Sequence, residues 1–316
     1  MTRRGRLATA AVVAGLGIAG WGRVSGAGEG KAGLEGTRDH VRALNHAVDY
    51  LVAARPGLEF GVAIYREGAG VVYERDADRP RPAASAVKTF VALDLIRMRG
   101  DRLDGAPAGL DTLLVPGVHP AFEGFTDVQL AEARKTLTGL GYLQIARIMM
   151  DRTEHQNDVY NAACNVLMID LGGPKAIESR IRALAPEFAA LDLNRYMLSW
   201  NHDGDNLVTP RVLMTLYREI AGGRLGDLGD GDVAMLRDLL RSRGDGGPGS
   251  RFEKQGTLYP DPMVRVQAGY LERGDRDLVY AIMGQFRRDL GIDTESGFLG
   301  LLAAVDTLTA ICTEIP

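Results

Sequence analysis

Cysteine is almost missing from this chain: Cys164 and Cys312 are the only two in 316 residues. So few exclude a disulfide-stapled scaffold. Both lie in apolar surroundings, where a buried free thiol is the ordinary outcome, and their spacing leaves one bridge open. Histidine is sparse too, five residues scattered without the paired spacing of metal ligands, so no metal and no other cofactor is expected. Nor is there an excess of positive charge. The 37 Lys and Arg against 41 Asp and Glu give a net charge of −4, with no basic stripe, which argues against a nucleic-acid partner. Repeats and low-complexity tracts are absent beyond the glycine-rich stretch at 26–36.

Long hydrophobic runs are lacking as well. The stretch from Leu7 to about Trp21 is short and glycine-rich for a membrane span. Arg3-Arg4 precedes it and the small residues Ser25 and Ala27 follow, the pattern of an export signal over 1–27. Thr2-Arg3-Arg4 gives that signal a twin-arginine character. A linker at 28–36 would follow. No cysteine stands near the cleavage site to carry a lipid, so the mature chain is expected outside the cytoplasm, periplasmic or secreted, and free of the membrane.

What remains is an ordinary globular composition, 46% hydrophobic and 25% charged, enough to bury a large core. "TRDHVRALNHAVDYLVAARPG" carries apolar residues at helical spacing and ends at Pro56-Gly57. Two β-branched runs around "REGAG" read as a hairpin. Mostly helical signals fill 100–245. Strands return in "MVRVQAGYLE" and "DLVYAIMGQF", which flank "RGDRD", and an apolar helix runs from about Gly297 to Thr313. This order predicts an α/β (α+β) fold. An antiparallel five-stranded sheet is built from both chain ends and flanked by helices, over 37–99 and 246–316. A large all-helical domain is inserted at 100–245, and a cleft lies between the two parts.

Chemistry concentrates in "RPAASAVKTFVAL", residues 81–93. Ser85 and Lys88, three apart, share one helix face. A lysine buried among Ala, Val and Phe tends towards its neutral form, and a neutral amine beside a hydroxyl is a base for making an alkoxide. A surface lysine and an N-cap serine would give the same letters.

Three motifs in order, Ser85-x-x-Lys88, an Asn-bearing helix start at Asn161 and Lys254-Gln255-Gly256, resemble the serine β-lactamases and penicillin-binding proteins, the class A branch above all. "FGVAIYREGAGVVYERDADRPRPAASAVKTF", "NAACNVLMIDLGGPKAI", "DNLVTPRVLMTLYREI" and "EKQGTL" carry the likeness, which covers roughly residues 38–316. It implies an acyl-enzyme on Ser85, with Lys88 accepting or orienting its proton. Lys254 would supply a fixed positive charge, and the N–H groups of Ser85 and Thr257 would receive the oxyanion. Asn161 would hold a substrate carbonyl or Lys88, and Gly256 would let the substrate backbone approach.

The chain departs from that pattern twice. At the second motif, Ser-Asp-Asn in the family, stands Val159-Tyr160-Asn161: the relay serine is gone. Tyr160, one place off in register, either supplies a hydroxyl or simply packs. In the omega loop, "LDLNRYMLSWNHDGDNLVTP", no glutamate occurs between Glu187 and Glu219. Asp192, His202 and Asp203 are the remaining candidate bases. The expectation is an exported, monomeric serine hydrolase that takes a small-molecule acyl donor (a β-lactam, an ester or a peptide-like amide) through an acyl-serine, with slow β-lactam turnover. A penicillin-binding sensor that acylates without turnover, or an esterase or transacylase, is the alternative.

Overall fold

The computed structural model describes residues 32–151, 155–199, 204–226, 228–242, 250–260, 262–274, 277–286 and 294–315. The expected export signal at 1–27 lies outside them, as do His202 and Asp203. Helix α1 (Ala32–Ala54) leads into the hairpin β1 (Leu58–Arg66) and β2 (Gly70–Arg75). A two-residue strand β3 (Arg81–Pro82) and a 3-10 turn at Ala84–Ala86 then open helix α2 (Val87–Arg99). Next come α3 (Asp127–Leu137), α4 (Tyr142–Met150), α5 (Asn157–Asp170) and α6 (Pro174–Arg182). After the short strand β4 (Leu207–Val208) come α7 (Pro210–Gly222) and α8 (Asp230–Leu240). The chain closes with β5 (Ser250–Leu258), β6 (Val264–Glu272), β7 (Leu278–Phe286) and α9 (Thr294–Thr313).

Five strands form one antiparallel sheet in the order β2-β1-β7-β6-β5. The first hairpin and the last three strands therefore meet at β1–β7, as the expected fold requires. Alternation along the strands divides the core. Phe60, Val62 and Ile64 of β1, with Tyr280 and Ile282 of β7, pack with α1 and with Leu301, Val305 and Leu308 of α9. Ala63, Ala281, Met283, Val266 and Ala268 belong to the larger core, with α2, α5 and α7. Helix α9 is long and apolar enough to cross a membrane by composition, but its apolar stripe covers this sheet.

One expectation needs correction. Residues 32–36, read as linker, form the first turns of α1: Ala32, Leu34 and Glu35 favour the helix, and two glycines do not offset them. The cysteines are the buried free thiols expected of them. Cys164 and Cys312 are free and buried, one in each core. Burial pushes the Cys164 thiol up to about 11 and raises that of Cys312 as well. The β3–β4 ladder was not foreseen; at two residues per strand it leaves no alternation in the sequence.

Candidate active site

The site grows from the segment before α2. The fully buried Arg81 guanidinium donates to the carbonyls of Phe60, at 3.0 Å, and of Asp76 and Arg79, both at 3.1 Å. Strand β3 pairs with β4, and Ala83 N–H donates to the Asn206 carbonyl at 2.8 Å. The chain just ahead of Ser85 is thus tied to the far end of the loop that joins α6 to β4. Ala84 follows at φ +47°, a left-handed conformation costing an L-residue about 1–2 kcal/mol. That turn sets Ser85 in the 3-10 segment, half-buried, ahead of the first residue of α2.

Gly256 of β5 makes the close approach possible. A Cβ there would stand 2.7 Å from Ser85 N, 2.9 Å from the Ala84 Cβ and 3.1 Å from Ala86 N. Only a residue without a side chain lets β5 pass so near the Ser85 amide. Ser85 and Thr257 both line the same cleft.

Lys88, three residues on from Ser85, is completely buried. Its Nζ donates to Asn161 Oδ1 at 2.8 Å and to the Tyr160 carbonyl at 3.3 Å. It also lies 2.8 Å from the centre of the Tyr160 ring. Lys254 Nζ stands 5.2 Å from the same ring centre and donates to the Gln255 carbonyl at 3.1 Å. Tyr160 therefore meets both lysines with its face, not its hydroxyl edge, and a ring face attracts cations. Behind α2, Thr89 Oγ1 and the Tyr217 hydroxyl hydrogen-bond at 3.0 Å, fixing the helix against α7.

Helix α5 contributes an asparagine on each of two successive turns. Asn161 holds Lys88. Asn165, four residues on, clamps the loop: its Oδ1 accepts from Met197 N at 2.7 Å, and its Nδ2 donates to the Met197 and Ala121 carbonyls, both at 2.8 Å. The loop's neck is closed by Arg195 and Asp205, paired at 2.8 Å. Their opposite charges, ten residues apart, were the one sequence signal for this closure. Met197 is thereby held in the wall of the Ser85 cleft.

That cleft encloses about 90 Å³ and is lined by Ser85, Asn157, Asn161, Tyr196, Met197, Leu198 and Thr257 among others. Five of the expected residues converge, Ser85, Lys88, Asn161, Gly256 and Thr257, the lysine reaching the cleft through Asn161. Lys254 and Tyr160 sit behind it, and Lys254 borders a neighbouring cavity of about 280 Å³ with Glu253, Gln255 and Arg241. Asp192 is turned elsewhere. Its carboxylate accepts from Lys175 at 2.8 Å and from Asn194 at 2.9 Å, and these donors hold its pKa below the ordinary value despite the burial that opposes them. Sequence reasoning missed Asp205, the carboxylate among the described lining residues, and it missed Met197, Asn165 and Asn206. Among the described residues no cluster of metal-binding side chains occurs.

No family model matches the chain, and no curated protein does. Solved structures do. A β-lactamase from Sphaerobacter thermophilus superposes with a TM-score of 0.62 at 19% identity, over 86% of this chain and 95% of that one. A class A β-lactamase from Mycobacterium abscessus gives 0.59 at 21% identity, over 84% and 98%. A mutant of PBP-A, solved as its acyl-enzyme complex with penicillin G, gives 0.59 at 18% identity, over 85% and 96%. The chain has a class A β-lactamase-like fold.

Proposed function

We propose that this protein is an exported serine hydrolase that works through an acyl-Ser85 intermediate. Ser85 Oγ adds to the carbonyl carbon of the acyl donor while its proton passes to Lys88. The N–H groups of Ser85 and Thr257 receive the oxyanion, and Lys254 supplies positive charge from the strand behind. The observation that carries this reading is the approach of Ser85 N to Gly256, one turn from a lysine held by Asn161 at 2.8 Å. Preorganised donors at that point act where charge develops in the transition state.

Release of the acyl group is the weak half. Water attacking an acyl-serine needs a base, and the described residues of the loop beside Ser85 contribute Tyr196, Met197 and Leu198 to the cleft, with Asp205 engaged by Arg195. A β-lactam would then acylate Ser85 and leave slowly, as in a penicillin-binding sensor. Ester cleavage is favoured by a separate observation. Both lysines lie over the face of the Tyr160 ring rather than at its hydroxyl, and a phenolate or stabilised alkoxide leaves without the proton that a leaving nitrogen needs.

Intact-protein mass spectrometry after incubation with a penicillin tests the reading. One adduct is expected on the wild type and none on Ser85→Ala; an equal adduct on that variant would sink it. The same reading on protein recovered from outside the cytoplasm should give a chain beginning near Gly28, and an uncleaved N-terminus there would count against export.

A further inference from the structure

The loop beside Ser85 carries Arg195, Asp205 and Asn206, which line the cleft and bond within the loop. Asn206 Oδ1 accepts from Asn194 N at 2.7 Å and Arg195 N at 3.0 Å, and its Nδ2 donates to the Arg195 carbonyl at 3.0 Å. Arg195 donates to the Ser199 carbonyl at 3.0 Å and pairs with Asp205 at 2.8 Å. Across the cleft, Asn161 Oδ1 is engaged by Lys88. These particular atoms already have partners, so a substrate group that sought them would have to break an existing bond to make its own, while Asn157, Thr257 and the Asn161 amide nitrogen also line the cleft.

Apolar side chains stand beside these polar groups. Met197 is fixed in the cleft wall by Asn165. Leu198 beside it adopts φ +59° and keeps 39% of its surface exposed. Its carbonyl lies so close to Gly124 that a side chain at 124 would collide with it. A leucine in a left-handed turn, open to solvent in a cleft beside a serine, is strained and apolar in a place where either feature needs a reason. Leu258, at the end of β5, lines the same cleft.

We infer that the acyl group this cleft takes is short and apolar, so that the preferred donors are esters of small aliphatic acids rather than donors with charged acyl chains. The inference rests on the acyl-Ser85 reading and adds the substrate class. Met197, Leu198 and Leu258 cover the chain, and the cleft's roughly 90 Å³ limits its length. In the reaction the Ser85 Oγ–acyl carbon bond forms as the bond from that carbon to the leaving oxygen breaks. The leaving group departs with the electron pair and the serine proton goes to Lys88. Water then adds its hydroxyl to the acyl carbon as the carbon–Oγ bond breaks, Oγ takes its proton back from Lys88, and water's other proton passes to solvent.

The test is kcat/KM for 4-nitrophenyl acetate, butyrate, octanoate and hemisuccinate, with Ser85→Ala subtracted as background. Each buried methylene is worth about fourfold, so butyrate should exceed acetate by roughly 15-fold, and octanoate should add little because the cleft is full. The hemisuccinate should fall below butyrate by about tenfold or more. Leu198→Asn removes the apolar chain while suiting the left-handed turn, and it should flatten the acetate–butyrate difference. Equal rates for acetate and butyrate, a steady rise through octanoate, or a preference for the hemisuccinate would overturn the inference and leave Ser85 in place. No ester hydrolysis above Ser85→Ala, with no adduct on the wild type, would overturn the acyl-Ser85 reading beneath it.

Discussion

Two residues bracket the chemistry, and each acts through its shape. Gly256 is there because the Ser85 amide is 2.7 Å from where its Cβ would be. Met197 matters because its backbone is clamped on both sides by Asn165, so whatever side chain stands at 197 is delivered to the cleft. A carboxylate there would be positioned to activate water. Met197→Glu should therefore shorten the life of a β-lactam acyl-enzyme by roughly 10²-fold, the lower range for general-base help. Decay of the adduct by mass spectrometry reads this directly, and an unchanged lifetime would show that position 197 does not face the acyl carbonyl. Ser85, Lys88, Asn161 and Lys254 were legible because motif spacing survives in one dimension. Met197 was not: a methionine among polar loop residues carries no signal until Asn165, 32 residues away in sequence, is seen to hold it.

At the level of elements, the loop depends on a neighbour outside it. His119 packs edge-on against Tyr196, ring centres 5.7 Å apart, and its Nδ1 accepts from Ala121 N at 3.1 Å. Burial holds the His119 pKa below its ordinary 6.5. The unfolded chain therefore binds this proton more readily than the folded one, and neutral His119 contributes stability that is present above about pH 6.5 and lost as pH falls through the lowered folded value. Protonated Nδ1 also cannot accept the Ala121 N–H. The melting temperature should drop more between pH 7.5 and 5 in the wild type than in His119→Gln, whose amide oxygen can still accept. Parallel curves for the two proteins would remove His119 as the loop's acid-sensitive support. Sequence reading found the hairpins and the long helices through their periods. It missed β3 and β4, because four residues have no period, and the start of α1, where glycines read as linker.

In the whole molecule, one sheet drawn from both chain ends sets β5 against the turn before α2, and α5 fills the space behind. Ion pairs join the helices that surround Ser85: Asp94 accepts a bidentate contact from Arg180 at 2.6–3.1 Å, and Arg99 pairs with Asp170. These long-range partners could not be assigned from sequence, where each arginine faces many carboxylates. On the proposed reading, this frame supplies the groups for acylating Ser85, and the described residues of the loop beside it put Met197 in the cleft wall. A stopped-flow trace with a chromogenic cephalosporin reads both halves at once. It should give a burst of about one product per enzyme and then a steady rate slower by about 10²–10⁴-fold, the worth of general-base help to the attacking water. Rapid linear turnover without a burst would contradict the account.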